Sequence, residues 1–247
     1  MGVGATVIDG YLRALGLGAD VIARLDGDGQ MDPNDLASLL DPVVSGRVGF
    51  AKGNRFKVGR MPETMPPIRR IGNITLTFLT KVASGYWHLF DPQNGYSAMS
   101  ATTVGVLDID YLRGLGYFFE NGLLIELNAA EVPAMDVPTT TIYGAERSGI
   151  RIGQVLTAFP VRLLGGTVRR LYHRYVIRDF SPVIVFLASG ALLFCGGLAW
   201  GIAVWVQSAR TGVAAPVGSI MLAALPMLSG FELLLQGVVL DINGSPR

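Results

Sequence analysis

The chain has 247 residues; half are hydrophobic, only 16% are charged, and the net charge at neutral pH is +1. Typical soluble domains carry about a quarter charged residues, so this composition excludes an ordinary soluble enzyme, a disordered chain and a disulfide scaffold built on the single cysteine, Cys195. The balanced charge speaks against nucleic acid as a partner, and two histidines, His88 and His173, are too few for a His-rich metal centre.

The first predicted element is a helix over residues 6–17, with Val7, Tyr11, Ala14 and Leu15 as its inner stripe. Val21-Ile22-Ala23-Arg24-Leu25 reads as a short strand that runs directly into Asp26. Asp32-Pro33-Asn34-Asp35 then starts a helix, with proline in its first turn and Leu36, Leu39 and Leu40 turned inward. Residues 48–53 read as the next strand. Helix, strand, helix, strand in this order predicts an α/β sheet.

Ligands of open α/β sheets bind beyond the carboxyl ends of strands, and Asp26-Gly27-Asp28-Gly29-Gln30 stands at such an end. Two carboxylates two residues apart can share one hard cation, Mg²⁺ or Mn²⁺, with substrate phosphates. A calcium-binding EF-hand would need glycine at Met31 and a carboxylate at Ala37, and both fail. A purely structural acidic turn is the alternative. Asp32 suffices to cap the next helix, which leaves Asp26 and Asp28 without a structural task.

Residues 183–206 are 24 in number and hold no charge, enough to cross a hydrocarbon core of about 30 Å. Residues 213–240 are nearly as apolar, and the polar link 207–212 makes the two a predicted membrane hairpin. A buried helical hairpin in a soluble core is the weaker alternative, because helices this long with no polar face rarely pack in so small a domain. Seven arginines (Arg147, Arg151, Arg162, Arg169, Arg170, Arg174 and Arg178) and no acid lie between Arg147 and Arg178. Basic residues beside a membrane helix mark its cytoplasmic side, which predicts a multi-pass protein of the cell membrane with its globular domain in the cytoplasm. Leu164, Val168, Leu171 and Tyr175 share a helical face, with the arginines largely elsewhere, as in an amphipathic helix on anionic lipid.

Leu25-Asp26-Gly27-Asp28-Gly29-Gln30-Met31-Asp32-Pro33 resembles the DxDxQ-x-x-P signature of family 2 inverting glycosyltransferases, specifically the dolichyl- and polyprenyl-phosphate sugar synthases. Gly53-Asn54-Arg55-Phe56, Ile68-Arg69-Arg70-Ile71-Gly72-Asn73, Asp91-Pro92-Gln93-Asn94-Gly95-Tyr96 and Phe118-Phe119-Glu120-Asn121 follow in the family's order. The resemblance implies a GT-A-like, Rossmann-like mixed sheet over 1–155, an amphipathic juxtamembrane segment over 156–180 and a transmembrane hairpin over 181–241. It implies that Asp26, Asp28 and Gln30 hold the metal and the donor, a UDP- or GDP-sugar. Asp28 and Asp91 stand where the family's catalytic acids do. Arg55, Arg69, Arg70 and Asn73 correspond to residues that hold the acceptor phosphate of a dolichyl or undecaprenyl lipid. Related enzymes of this layout often associate through their membrane helices, so a homo-oligomer is implied as well.

Members of the family open with further strands that carry the nucleotide's base and ribose. By that comparison this chain is expected to be N-terminally truncated by on the order of sixty residues, about two βα units. A non-catalytic membrane relative that binds lipid or a partner protein is the expectation's rival. A processive polysaccharide synthase is disfavoured, since the Gln-x-x-Arg-Trp motif is absent.

Overall fold

The computed structural model describes residues 2–56, 67–140, 142 and 152–247. Two compact units are present, one comprising residues 1–174 with 245–247 and the other residues 175–244.

The first unit is mixed α/β. Helix α1 (Val3–Gly16) precedes strand β1 (Val21–Arg24), a 3-10 turn (Pro33–Asp35) and helix α2 (Leu36–Val44). Asp32 caps that turn by accepting the Asn34 amide at 2.9 Å. Strand β2 (Phe50–Asn54), helix α3 (Pro67–Ser84), strand β3 (Ser97–Ser100), the short helices α4 (Ala101–Gly105) and α5 (Ile109–Arg113), helix α6 (Phe119–Ala129), strand β4 (Ala134–Pro138) and helix α7 (Ile152–Tyr172) follow. The inner stripe of α1 is Gly4, Ile8 and Tyr11. Val7, Ala14 and Leu15 sit at its margin, half-buried.

The sheet runs in the order β1-β3-β2-β4. Strand β3 is antiparallel to both neighbours, whereas β2 and β4 are parallel. The register sets the chemistry in rows, because side chains opposite one another across strands share a face. Ile22, Met99, Phe50 and Ala134 align as an apolar row and belong to the main core with α1, α5 and α6. Two residues further toward the carboxyl ends of β1, β2 and β4, Arg24, Ser97, Lys52 and Asp136 align as a polar row. Helix α2 closes the opposite face through Leu39 and Val43 against Ala51, Ala98 and Val137.

Helices α3, α6 and α7 pack together around Ala83, Phe118, Ile125 and Leu163. Arg169 and Arg170 of α7, and Arg174 just beyond it, turn toward neighbouring elements of the same unit, and of the apolar face expected of the segment Leu164 and Val168 are exposed while Tyr175 is buried. Arg169 pairs with Asp108 at 2.7 Å and Glu126 at 3.3 Å and stacks on Tyr111 at 4.0 Å. Arg170 is fully buried and donates to the Ala83 carbonyl at 2.9 Å. Arg174 is buried and bonds Asn128 at 2.6 Å. Val161, Leu164, Val168 and Tyr172 are large apolar residues left exposed, and Arg162 is exposed beside them. The helix is amphipathic, with its polarity reversed: acids and carbonyls on α3, α5 and α6 draw the guanidinium groups inward. Arg147 and Arg151 lie outside the described residues.

In the second unit, a π-turn (His173–Arg178) leads from α7 into helix α8 (Pro182–Thr211), followed by helix α9 (Val217–Asn243). Ser181 caps α8, Pro182 starts it, and Gly212 ends it at φ +68°. Both helices are long and apolar enough to cross a bilayer, at mean hydropathies of 2.2 and 1.7, and mark the chain as a membrane protein. They pack through glycine: a Cβ at Gly190 would lie 2.8 Å from the Leu234 nitrogen, and one at Gly197 would lie 2.7 Å from the Ala223 oxygen. Tyr175 donates to Asp241 at 2.7 Å near the ends of the pair.

Candidate active site

The carboxyl ends of β1 and β2 and the loop 91–96 meet at one end of the sheet. Gly95 makes the meeting possible, since a methyl group there would overlap the Asp26 carboxylate. The Asp91 loop is therefore seated directly against the acidic loop that follows β1.

Asp26 accepts Arg24 Nη2 at 3.0 Å and is 41% exposed. Asp28 is exposed, and its Oδ1 accepts the Gln30 amide at 3.0 Å. The structure thus gives each of them a local partner, and capping by Asp32 does not leave them idle as the sequence argument held. Asp28 bends its loop back by an Asx turn, while Gly29 takes φ +71°. Gln30 is pinned through its carbonyl to the Ile142 amide at 3.0 Å. The three residues alternate with glycines along one loop, bear oxygen atoms and are reachable from solvent, a donor chemistry of the kind that hard cations such as Mg²⁺ and Mn²⁺ take. Among the described residues, no group of three His, Cys, Asp or Glu side chains gathers for a metal. Two carboxylates and an amide leave coordination positions for a substrate.

Asp91 is buried, 2% exposed, and holds Arg55 in a two-pronged pair: Nε donates at 2.7 Å and Nη2 at 3.0 Å. Asp91, expected among the catalytic residues, and Arg55, expected at the lipid phosphate, therefore grip one another. Such a fork fixes the guanidinium plane. Asn94 secures the loop by donating to the Gly53 carbonyl at 2.8 Å and accepting the Tyr96 amide at 3.1 Å. Arg69, Arg70 and Asn73 belong to α3, but their side chains lie outside the described residues.

Sequence reasoning missed the support beneath this site. Lys52 is fully buried in β2, with its ammonium donating to the Asn94 carbonyl and lying 3.4 Å from Glu120. Glu120 also accepts from Arg24. Burial pulls the Arg24 guanidinium down, but Glu120 and Asp26 together more than offset it and hold it above its ordinary range. Asn121 accepts from Thr80 of α3 at 3.0 Å and from Gln93 at 2.9 Å, joining that helix to the Asp91 loop. Asn54 donates to Asp136 at 2.6 Å, and Asp136 also accepts the Phe90 amide at 2.7 Å. The available signal was charge inside short strands: Arg24 in β1, Lys52 in β2 and Asp136 in β4.

A mixed α/β domain with carboxylates and paired arginines at one end of its sheet, followed by an apolar helical pair, defines a membrane-associated class of protein. No family model matches the chain. Among known proteins, it is 32% identical over 160 residues to a UDP-N-acetylglucosamine–dolichyl-phosphate N-acetylglucosaminyltransferase of Methanococcus voltae, covering 65% of this chain and 62% of that one. It is 26% identical over 141 residues to an undecaprenyl-phosphate mannosyltransferase of Micrococcus luteus, covering 57% of each. Against the glycosyltransferase AglJ of Haloferax volcanii it is 27% identical over 227 residues, 91% of this chain and 69% of the relative. The chain is similar to glycosyltransferases of the polyprenyl-phosphate sugar transferase type. It spans less than two thirds of the length of the Methanococcus voltae enzyme.

Proposed function

We propose that the chain is a membrane-anchored inverting glycosyltransferase that moves a sugar from a nucleotide-sugar donor to a polyprenyl phosphate at the cytoplasmic face. The observation that supports this reading best is the convergence of Asp26, Asp28, Gln30, Asp91 and Arg55 at one sheet end in a relative of such enzymes. Asp26, Asp28 and Gln30 would hold Mg²⁺ or Mn²⁺. When bound, the ion would offset the charge that grows on the departing nucleoside diphosphate.

In the proposed reaction an oxygen of the acceptor phosphate attacks the anomeric carbon. The bond from that carbon to the nucleoside diphosphate breaks, and its electron pair leaves with the diphosphate. A phosphate monoester is already anionic at neutral pH, so the chain's task is positioning. Arginine grips phosphate oxygens in a fixed plane, and Asp91 orients Arg55. Arg69, Arg70 and Asn73 are proposed to complete the acceptor site from α3. The arginine-rich stretch 147–178 supports a cytoplasmic globular domain.

The test is transfer of labelled sugar from UDP- and GDP-sugars to polyprenyl phosphate in membranes containing the full chain. Asp28→Ala is expected to abolish transfer at unchanged protein level. Retained transfer in that variant would remove the proposed donor site, and failure of the wild type with every donor would favour a non-catalytic relative.

A further inference from the structure

Beneath the donor loop lies a file of alternating charge: Lys52, Glu120, Arg24 and Asp26. It runs outward from a fully buried ammonium to a carboxylate that is 41% exposed, through side chains that are 14% and 12% exposed. Each inner charge touches two opposite ones. Glu120 takes Arg24 on one oxygen and lies 3.4 Å from Lys52 through the other. Arg24 gives Nη1 to Glu120 and Nη2 to Asp26, with its carbon 5.6 Å from the Phe119 ring centre. The two cations and two anions cancel.

Without the charge on Glu120, two buried cations would face Asp26 alone. Asp26 would then be drawn fully onto Arg24 and lose its power to hold another cation. We propose that Glu120 is a positioning residue: it is the counter-ion that keeps Arg24 from neutralising Asp26, so that Asp26 stays available to a divalent cation and a nucleoside diphosphate. The inference rests on the donor-site reading above. It assigns Glu120 no contact with substrate, and it makes Arg24 a restraint on Asp26, not a ligand of the diphosphate.

The experiment titrates Mn²⁺ into the purified full chain in detergent, with UDP and with GDP, and follows free Mn²⁺ by electron paramagnetic resonance. Circular dichroism monitors folding in parallel. Glu120→Gln keeps the shape and removes the charge, and it is expected to weaken Mn²⁺ binding about tenfold or more, the usual scale for a partner that supports a metal ligand. Removing the opposing cation in the double variant Arg24→Met/Glu120→Gln is expected to restore binding to near the wild-type value. A merely structural Glu120 predicts instead that the double variant binds as weakly as the single one, or more weakly. Should Glu120→Gln fail to fold, Arg24→Met alone decides. Binding as tight as wild type or tighter supports the counter-ion role, and weaker binding overturns it. Unchanged Mn²⁺ binding in a folded Glu120→Gln overturns this inference alone, whereas a wild type that binds no Mn²⁺ with either nucleotide overturns the donor-site reading and the inference with it.

Discussion

In residues 1–174, distant segments are joined by polar side chains reaching across gaps: Arg55 to Asp91, Arg170 to the end of α3, Asn121 to both Thr80 and Gln93. In residues 175–244 the helices meet where side chains are missing. Gly190, Gly197, Gly230 and Gly237 let two backbones touch. The difference follows from what each interior competes with. In water, apolar burial already holds the globular unit together, so buried polar groups can be spent on orientation provided each is paired. In lipid there is no hydrophobic drive between helices, and close backbone packing supplies the attraction. Substitutions of opposite kinds should therefore damage each unit.

The largest expected effect is in the hairpin. Gly190→Val places two methyl groups where even a Cβ would sit 2.8 Å from the Leu234 nitrogen and 2.9 Å from the Gly230 oxygen. Backbone cannot yield as a flexible side chain does, so the helices must separate. We expect a loss of several kcal/mol, at or above the range of about 1–3 kcal/mol typical of overpacking, seen as a large drop in the detergent denaturation midpoint. Gly196→Val, six residues further along α8 with open space around it, should change little. An equal loss in both would show that glycine packing does not hold the pair.

Next is Arg170. It is 1% exposed and donates to the Ala83 carbonyl and, at 3.3 Å, to Asn128. The carbonyls of the last turn of α3 have no partner within the helix, and a cation there also favours the helix dipole. Gly85, at φ +72°, opens the space, because a Cβ there would lie 2.8 Å from the guanidinium carbon. Arg170→Ala leaves buried carbonyls unmet and a cavity behind, a combination expected to cost about 3 kcal/mol. Chemical denaturation of the full chain measures it; a loss below about 1 kcal/mol would mean that water replaces the guanidinium.

These arginines also mark how far the sequence could be read. The DxDxQ loop, the strand before it and the two apolar helices were legible because each is local: a strand end, a turn, an uncharged run. The expectations for α1 and β2 erred only in their margins. The partners of Arg169, Arg170 and Arg174 were not legible, because a run of arginines reads alike whether it faces lipid or neighbouring helices. Only the packing of α3, α6 and α7 decides between them. Lys52 was hidden for the same reason. Lysine in a short strand reads as solvated, and the row Arg24–Ser97–Lys52–Asp136 exists only once β3 has inserted antiparallel between β1 and β2. Asp91 was found through its motif, but its grip on Arg55 spans 36 residues and has no local signature.

The smallest effect tests a hydroxyl buried against the charged file. Tyr11 lies beneath the charged file, 3% exposed, and burial pushes its hydroxyl up to about 12, with Arg24 pulling the other way. A phenol in the unfolded chain ionises near 10. The folded state therefore holds its proton more tightly, so this contribution to stability is complete below about pH 10 and is lost as the pH rises toward 12. A shift of this size corresponds to at most about 2.7 kcal/mol. Absorbance of the phenolate on raising the pH should lose one late-titrating tyrosine in Tyr11→Phe, with buried Tyr86 still titrating late in both, and the unfolding midpoint of that variant should fall less than wild type's above pH 10. If Tyr11 ionised near its ordinary value without loss of structure, the charged file would be open to water and the contrast between the two interiors would fail at the site where it matters most.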